Sequence, residues 1–237
     1  MQTLATVAKQ LRFALSLDQL EAFDVYHHEL MRARPRAGLT SLSDRLSVER
    51  RHFLEPLVLL RALEEVGAFA SPAIDIGTGA GFPGLPIKIL RPDLQLTLLE
   101  ASGRKVSFLE HLTQLLDMTG VNAIHARAED LGRDAMHRSA YGLVLARAVA
   151  PLRVLLELSL PFLRIGGHLA TPKGSSAQRE VREAVSALEA CGGEVERLQK
   201  LDLPWPEPAP TLVLVRKVRD TPGRYPRRAG VPNKRPL

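Results

Sequence analysis

The feature that most constrains this chain is a glycine-rich segment that directly follows a short apolar run. Residues 73–86 read AIDIGTGAGFPGLP, with Asp75 near the end of the apolar run and glycines at 77, 79, 81 and 84. A buried strand that opens into a glycine-rich loop and then a helix is typical of the first βα unit of an α/β sheet. Backbone N–H groups in such a loop approach a ligand closely, so we expect a cofactor site here.

Two nucleotide-binding patterns compete for this loop. The triphosphate-binding pattern requires Lys followed by Ser or Thr after GxxxxG, whereas Leu85 and Pro86 follow Gly84 here, so we exclude it. The dinucleotide fingerprint GxGxxG aligns on Gly79, Gly81 and Gly84 and stays open as an alternative.

A third pattern also fits the same residues. Asp75, Gly77, Gly79 and Gly81 give Asp-x-Gly-x-Gly-x-Gly, the first signature of S-adenosylmethionine-dependent methyltransferases. In that arrangement Asp75 orders the loop by accepting backbone N–H groups, and the glycines leave space for the amino-acid end of the cofactor. Glu100, at the end of the next predicted strand, suits the ribose hydroxyls of either cofactor and does not separate the two.

The sequence predicts alternating strands and helices after residue 70. Strands are predicted at 73–76, 94–100, 121–126, 141–146, 166–173, 194–203 and 211–218, with helices opening near 86 and covering 104–118, 151–163 and 175–191. Only residues 204–210 separate the last two strands, which is too short for a parallel crossover and predicts an antiparallel hairpin. The fold class is therefore α/β, a seven-stranded, mostly parallel, doubly wound sheet. The antiparallel last strand favours a methyltransferase over a dinucleotide-binding domain.

The chain divides into three predicted parts. Residues 1–70 form a helical N-terminal extension, with one helix capped by Asp18 and another near 48–66. Residues 71–218 form the methyltransferase domain, and residues 219–237 form a basic C-terminal tail. From Arg216 onward eight cations accompany one acid, which leaves 24 cations and 25 acids in the preceding chain. Such a cluster attracts phosphate backbones, and its Pro, Gly and Tyr residues favour a docked, extended segment.

Several chemistries are disfavoured by composition. The single cysteine, Cys191, excludes an internal disulfide and a multi-cysteine zinc site, and its position in a helical pattern indicates a structural role. The histidines lack metal-ligand spacing, although His52, next to Arg50 and Arg51, could touch an RNA backbone. No signal peptide or apolar span is recognised, so we expect a cytoplasmic protein, and nothing in the sequence requires more than a monomer.

Longer stretches resemble one family closely. DIGTGAGFPGLPIKILRP, LLEASGRKVSFL, ARAEDL, ARAVAPL and the tail RYPRRAGVPNKRPL are similar to the family once called glucose-inhibited division protein B. These bacterial enzymes methylate guanine N7 of 16S ribosomal RNA. The resemblance implies S-adenosyl-L-methionine as cofactor, and 16S ribosomal RNA or the small ribosomal subunit as partner.

The resemblance also assigns roles to residues. Asp75, Gly79 and Gly81 are already predicted as cofactor residues by the glycine-rich pattern. The resemblance implies further cofactor contacts at the following positions: Gly77, Phe82, Glu100, Ala101, Ser102, Ala128, Glu129 and Arg147. Arg147 faces the substrate pocket as well, and our hypothesis is that its donor fork orients the guanine through O6 or a nearby phosphate. Lys173, at the end of the fifth strand, is a second candidate for this catalytic role on the same rim. In the tail, we expect RNA contacts from Arg224, Arg227, Arg228, Lys234 and Arg235.

This chain departs from the family pattern at three places. Ala146 replaces the usual Ser before Arg147, Gly38-Leu39-Thr40 replaces Asn-Leu-Thr, and His52-Phe53-Leu54-Glu55-Pro56 replaces His-x-x-Asp-Ser. The Asn- or Asp-Pro-Pro-Tyr segment that grips exocyclic amines is also missing after the fourth strand, where the chain reads Ala-Arg-Ala-Val. Guanine N7 needs no such group, because its lone pair is already nucleophilic. The alternative hypothesis is a dinucleotide-dependent oxidoreductase acting on a small molecule.

Overall fold

The protein is described by a computed structural model over residues 2–205 and 208–237. One seven-stranded sheet runs in the order β3-β2-β1-β4-β5-β7-β6. Its strands are Ala73–Ile76 (β1), Leu96–Glu100 (β2), Val121–His125 (β3), Tyr141–Leu145 (β4), Leu163–Lys173 (β5), Gly193–Lys200 (β6) and Thr211–Lys217 (β7). β7 pairs antiparallel with both β5 and β6, and the other neighbours are parallel. The predicted topology is confirmed.

The strand sequences reflect how each strand is covered. β1 and β4 are buried along their whole length, because helices cover both faces of the sheet centre. β3 lies at one edge and is only partly buried. The predicted hairpin between β6 and β7 forms, although its connection includes residues 206 and 207, which lie outside the described residues.

Helices surround the sheet and precede it. They are Gln2–Gln10 (α1), Leu17–Ala37 (α2), Arg45–Val48 (α3), Glu55–Glu65 (α4), Gly84–Leu90 (α5), Gly103–Leu115 (α6), Ala128–Leu131 (α7), Leu152–Ser159 (α8), Ala177–Glu183 (α9), Val185–Cys191 (α10) and Val231–Lys234 (α11). A π-helical stretch, Glu49–Leu54, joins α3 to α4. The helix predicted over 175–191 is in fact two, because the backbone at Ala184 leaves helical geometry. Both halves pack against α8.

The N-terminal helices share one hydrophobic core with the sheet. Phe23, Tyr26 and Leu30 of α2 are fully buried in that core. Ser16, and not Asp18, caps α2: its hydroxyl accepts from Gln19 N at 3.1 Å, and the Gln19 side chain accepts from Ser16 N at 3.0 Å. This reciprocal pair satisfies two donors at the helix start, which leaves Asp18 in the first turn. The domain boundary at residue 70 stays a prediction.

The C-terminal tail packs onto the fold through directed hydrogen bonds. Arg138 donates to the carbonyls of Thr221 at 2.6 Å and Tyr225 at 2.9 Å, and Arg133 donates to Pro226 O at 2.9 Å. The tail is therefore docked, as expected, but it is not extended throughout, since it turns into α11.

Cys191 has the structural role that its position indicates. It is fully buried, and burial raises the pKa of its thiol to about 12. Its carbonyl accepts the Thr221 hydroxyl at 2.7 Å, which ties α10 to the start of the tail.

The tail's strongest anchor is an ion pair with the fully buried Glu157. Arg227 donates to this carboxylate from its backbone N at 2.8 Å and from its guanidinium at 2.6–3.1 Å. We expected Arg227 to face RNA together with its neighbours. Its guanidinium is instead directed inward, because a buried carboxylate requires a partner.

We predict that Arg227→Ala destabilises the protein by about 3–5 kcal/mol, because it leaves the buried carboxylate of Glu157 without its partner. Arg228→Ala is the matched control: Arg228 is exposed, and its loss should change stability by about 0.5 kcal/mol or less. Urea unfolding of both variants measures the difference. Equal effects would contradict an anchoring role for Arg227.

Candidate functional site

The loop after β1 is organised by one buried carboxylate. Oδ2 of Asp75 accepts the Thr78 hydroxyl at 2.7 Å and Gly84 N at 2.8 Å. The bond to Gly84 confirms that Asp75 orders the loop through a backbone N–H. Oδ1 is buried and has no hydrogen-bond partner among the described residues. Burial raises the pKa of Asp75 to about 7, against the lowering effect of its hydrogen bonds and of Arg147.

A second carboxylate fixes the same loop from β2. Glu100 accepts Gly79 N at 3.0 Å through Oε2 and Ser102 N at 2.9 Å through Oε1. A carboxylate offers about four lone-pair sites. Glu100 can therefore hold the loop and still accept hydroxyl groups from a ligand.

The loop glycines serve different purposes. Gly77 and Gly79 have φ of +62° and +64°, and a Cβ on Gly79 would meet no atom within 4 Å. A Cβ on Gly81, in contrast, would lie 2.5 Å from Leu85 Cδ1 and 2.6 Å from Tyr26 Oη. Gly81 was expected to make room for cofactor. The structure shows that its space is taken by protein, because Tyr26 Oη donates to Ala80 O at 2.5 Å.

Gly81→Ala should therefore destabilise the fold by at least about 2 kcal/mol, because overpacking costs about 1–3 kcal/mol. The positive φ adds strain for any residue with a Cβ. Gly223→Ala is the control, since a Cβ there meets nothing within 4 Å and its φ is not positive. Thermal or urea unfolding measures both, and a neutral Gly81→Ala would refute the close packing.

A pocket of about 160 Å³ lies beyond the carboxyl ends of β1, β2 and β3. We call it the strand-end pocket. Four of the predicted cofactor residues line it: Gly77, Ala101, Ala128 and Glu129. Asn233, from the C-terminal tail, also lines it, although the sequence did not predict this. The structure thus gathers residues that are more than a hundred positions apart in sequence. Ligands in doubly wound sheets bind at this edge.

A larger pocket, about 530 Å³, adjoins it; we call it the helix-side pocket. Its charged lining is Arg51, Glu55, Arg147, Lys173 and Glu180. Both pockets share Val149 and Ala150, in the loop after β4. Ala148 in this loop has a φ of +56°, a conformation that is unusual for a residue with a Cβ. Strained backbone of this kind concentrates at functional sites.

Arg147 is held by the π-helical stretch. Its Nη1 donates to Arg51 O and lies 3.5 Å from Glu55 Oε2, while Nη2 lies 3.0 Å from His52 Nδ1. The guanidinium also lies 5.5 Å from the ring centroid of Phe82. Burial lowers the pKa of Arg147, and Glu55 opposes that shift. These contacts fix the guanidinium at the wall of the helix-side pocket.

Phe82 lies inside an aromatic stack. Its ring lies 5.3 Å from Tyr26 and 4.2 Å from His52, nearly parallel to both. We expected Phe82 to contact the cofactor directly. The structure instead places it beneath Arg147, away from the lining of both pockets.

The hydrogen bonds of His52 determine its tautomer. Because Arg147 can only donate, Nδ1 of His52 must accept, and Nε2 then donates to the Thr40 hydroxyl at 2.7 Å. Burial and the positive charge of Arg147 lower the pKa of His52 to about 3. His52 is therefore neutral and faces the interior of this network, so its ring nitrogens are not available to an RNA backbone.

We predict that nitrogen NMR will show His52 as the neutral Nε2–H tautomer between about pH 5 and pH 8. Arg147→Met should raise the His52 pKa, because it removes the neighbouring positive charge. A His52 titration midpoint near 6.5 in the unmodified protein would contradict the proposed hydrogen-bond directions.

Lys173 is engaged by the protein. Nζ donates to Ala150 O at 2.6 Å and pairs with Glu180 at 3.0 Å. Glu180 in turn accepts Leu152 N at 2.8 Å. Lys173 therefore fixes the loop that separates the two pockets, and a catalytic role for it stays a prediction.

Sequence reasoning missed some residues of the site. Thr78 and Gly84 could have been found, because a carboxylate at a strand end needs nearby donors. Tyr26 and Asn233 gave no local signal, since each reaches the site only through tertiary packing. Across the described residues, no cluster of three or more His, Cys, Asp or Glu side chains could hold a metal ion.

Comparison with known proteins decides the family. A family model described as GidB, rRNA small subunit methyltransferase G, matches residues 19–205. A ribosomal RNA small subunit methyltransferase G of Lactobacillus delbrueckii subsp. bulgaricus is 43% identical over 98% of this chain and 98% of its own length. The chain belongs to the GidB family. The protein of the same name from Roseiflexus castenholzii is 44% identical over 100% of both chains.

Solved structures agree on the fold of this GidB-family chain. A SAM-dependent methyltransferase from Aquifex aeolicus is 17% identical, with a TM-score of 0.53 over 75% of this chain and 100% of that one. Aeropyrum pernix fibrillarin is 16% identical, with a TM-score of 0.51 over 70% of this chain and 75% of that one. The family resemblance and the methyltransferase fold are confirmed, and the oxidoreductase alternative is not supported. No helix among the described residues is long and apolar enough to span a membrane.

Proposed function

We propose that this protein transfers the methyl group of S-adenosylmethionine to N7 of a guanine in 16S ribosomal RNA. The observation that carries the proposal is the pair of adjoining pockets that share Val149 and Ala150. The strand-end pocket lies at the edge of the sheet where cofactors bind, and the helix-side pocket presents the guanidinium of Arg147 to a second ligand. Methyl transfer needs this arrangement, because donor and acceptor must meet in line.

The strand-end pocket suits the cofactor. Its lining includes Gly77, Ala101, Ala128 and Glu129, four of the positions that the family resemblance assigns to the cofactor, whereas Asp75 is fully buried behind the loop and lines neither pocket. The open space at Gly79 leaves the backbone accessible, and Glu100 keeps acceptor capacity for ribose hydroxyls. S-adenosylmethionine, when bound, supplies an electrophilic methyl group. The chain's residues hold and orient it.

Arg147 would orient the guanine. Among the described residues, Arg51 O, Glu55 and His52 engage three of its five N–H groups, which leaves two for a ligand. A guanidinium pairs well with guanine O6 or with a phosphate. Pairing with O6 or with a phosphate, and not with N7, would leave the N7 lone pair free to accept the methyl group.

The reaction needs no general base, and His52 is not available as one. The Nδ1 lone pair of His52 accepts from Arg147, and its Nε2 carries a proton for Thr40. N7 uses its own lone pair and loses no proton, so the base becomes cationic as the sulfonium becomes a neutral thioether. Placement and exclusion of water therefore provide the catalysis.

The RNA partner would also contact exposed cations outside the pocket. The side chains of Arg224, Arg228, Lys234 and Arg235 are exposed on the tail and available to phosphates. We further propose that the substrate is a small ribosomal subunit or its precursor, that the protein is cytoplasmic and that it acts as a monomer.

The first test is transfer of labelled methyl from S-adenosylmethionine to small ribosomal subunits lacking the modification. After nucleoside digestion, we expect the label in 7-methylguanosine. Label in another nucleoside, or no transfer despite cofactor binding, would refute the proposed acceptor.

Arg147→Ala should lower kcat/KM by about 10- to 100-fold, because this is the effect expected from losing one hydrogen bond from a charged group. Arg197→Ala, at an exposed arginine on the edge strand β6, is the control and should leave kcat/KM near that of the unmodified protein. Both variants are measured with the same subunits. An active Arg147→Ala variant would exclude the orienting role.

A further inference from the structure

The C-terminal tail reaches the strand-end pocket. The family match ends at residue 205, well before the tail, yet Asn233 of α11 lines that pocket. Gly230, just before α11, donates its backbone N–H to Glu129 Oε1 at 3.0 Å. Glu129 is a buried residue of the same pocket. The tail thus supplies part of the pocket wall opposite the sheet.

The contacts of Arg227 fix the position of the tail segment that carries Asn233. Arg227 pairs with buried Glu157, and its Nη2 also donates to Arg235 O at 2.8 Å, just beyond α11. Asn233 is exposed where it lines the pocket, and no hydrogen bond among the described residues engages its carboxamide. A positioned amide with free donors and acceptor is suited to a ligand.

The order of the strands indicates which part of a nucleoside would lie there. An acid at the end of the second strand is the usual partner of ribose hydroxyls, and Glu100 holds that position. Ala126, Ala128 and Glu129 follow β3, the next strand outward, and they line the pocket with Asn233. The base of the nucleoside therefore extends from Glu100 toward the tail.

We propose that the tail completes the cofactor site and that Asn233 recognises the adenine ring of S-adenosylmethionine. This inference rests on the proposed function. The carboxamide of an asparagine matches adenine: its oxygen accepts from the N6 amino group while its NH2 donates to N7. Inosine presents acceptors at both O6 and N7 on that edge, so it cannot donate to the carboxamide oxygen there.

The test measures binding of S-adenosylhomocysteine and of its inosine analogue to the full chain by calorimetry. We expect the unmodified protein to prefer the adenine compound. Asn233→Ala should lower the affinity for S-adenosylhomocysteine about three- to ten-fold, which corresponds to the loss of about one hydrogen bond. It should change the affinity for the inosine analogue much less, so that discrimination is lost.

The matched control is Asn122→Ala. Asn122 is the only other asparagine of the chain, and it is exposed on β3 outside the lining of the pocket. Its substitution should leave both affinities unchanged, and circular dichroism checks that both variants fold. Asn233→Asp, which keeps the size of the side chain but removes its donor, should also weaken S-adenosylhomocysteine.

The outcomes separate the two proposals. If the unmodified protein does not bind S-adenosylhomocysteine, the proposed function fails. If it binds and Asn233→Ala binds equally well, the role of Asn233 is overturned while the proposed function stands. Equal weakening of both ligands would also overturn adenine recognition, because it would indicate a wall contact without selection of the base.

Discussion

The architecture of the site depends on a carboxylate buried at the end of β1. Asp75 is fully buried, and its Oδ2 joins the strand to the first turn of α5 through Gly84 N. A Cβ on Gly84 would lie 2.9 Å from that oxygen, so only glycine allows the approach. Burying a carboxylate is costly, and its pKa of about 7 reflects that cost. The carboxylate offsets that cost by ordering the loop through the Thr78 hydroxyl and Gly84 N.

A second constraint comes from the N-terminal helices, which the sheet does not require for its own topology. Tyr26 fills the space that Gly81 leaves open, and His52 stacks on Phe82 on the other side of the same ring stack. The stack supports Arg147 from below, while Arg51 O and His52 accept its N–H groups. The helical extension is therefore part of the site, since it determines where the arginine fork points.

The sequence predicted the sheet well because each strand carries its own signal. β1 and β4 are short apolar runs, and the short connection before β7 permits only an antiparallel hairpin. The functions of the single glycines were harder to predict, since Gly79 faces open space and Gly81 faces Tyr26. That difference depends on a contact between residues far apart in the chain. The inward direction of Arg227 could not be predicted from its neighbours in sequence either, because its partner Glu157 lies in a mostly apolar helix.

The basic tail illustrates why a charge cluster alone does not define a binding surface. Its formal charge suggested a uniform RNA-binding segment, but Arg227 neutralises the buried Glu157 and donates to Arg235 O, just beyond α11. Lys217, in β7 just before the tail, is also buried and donates to Leu160 O at 2.6 Å. These two cations serve packing. The tail is anchored at Glu157 and at Glu129, and the proposed contact of Asn233 with adenine would couple cofactor binding to the order of the tail. RNA that contacts the remaining exposed cations would then act on a segment that also forms the cofactor wall.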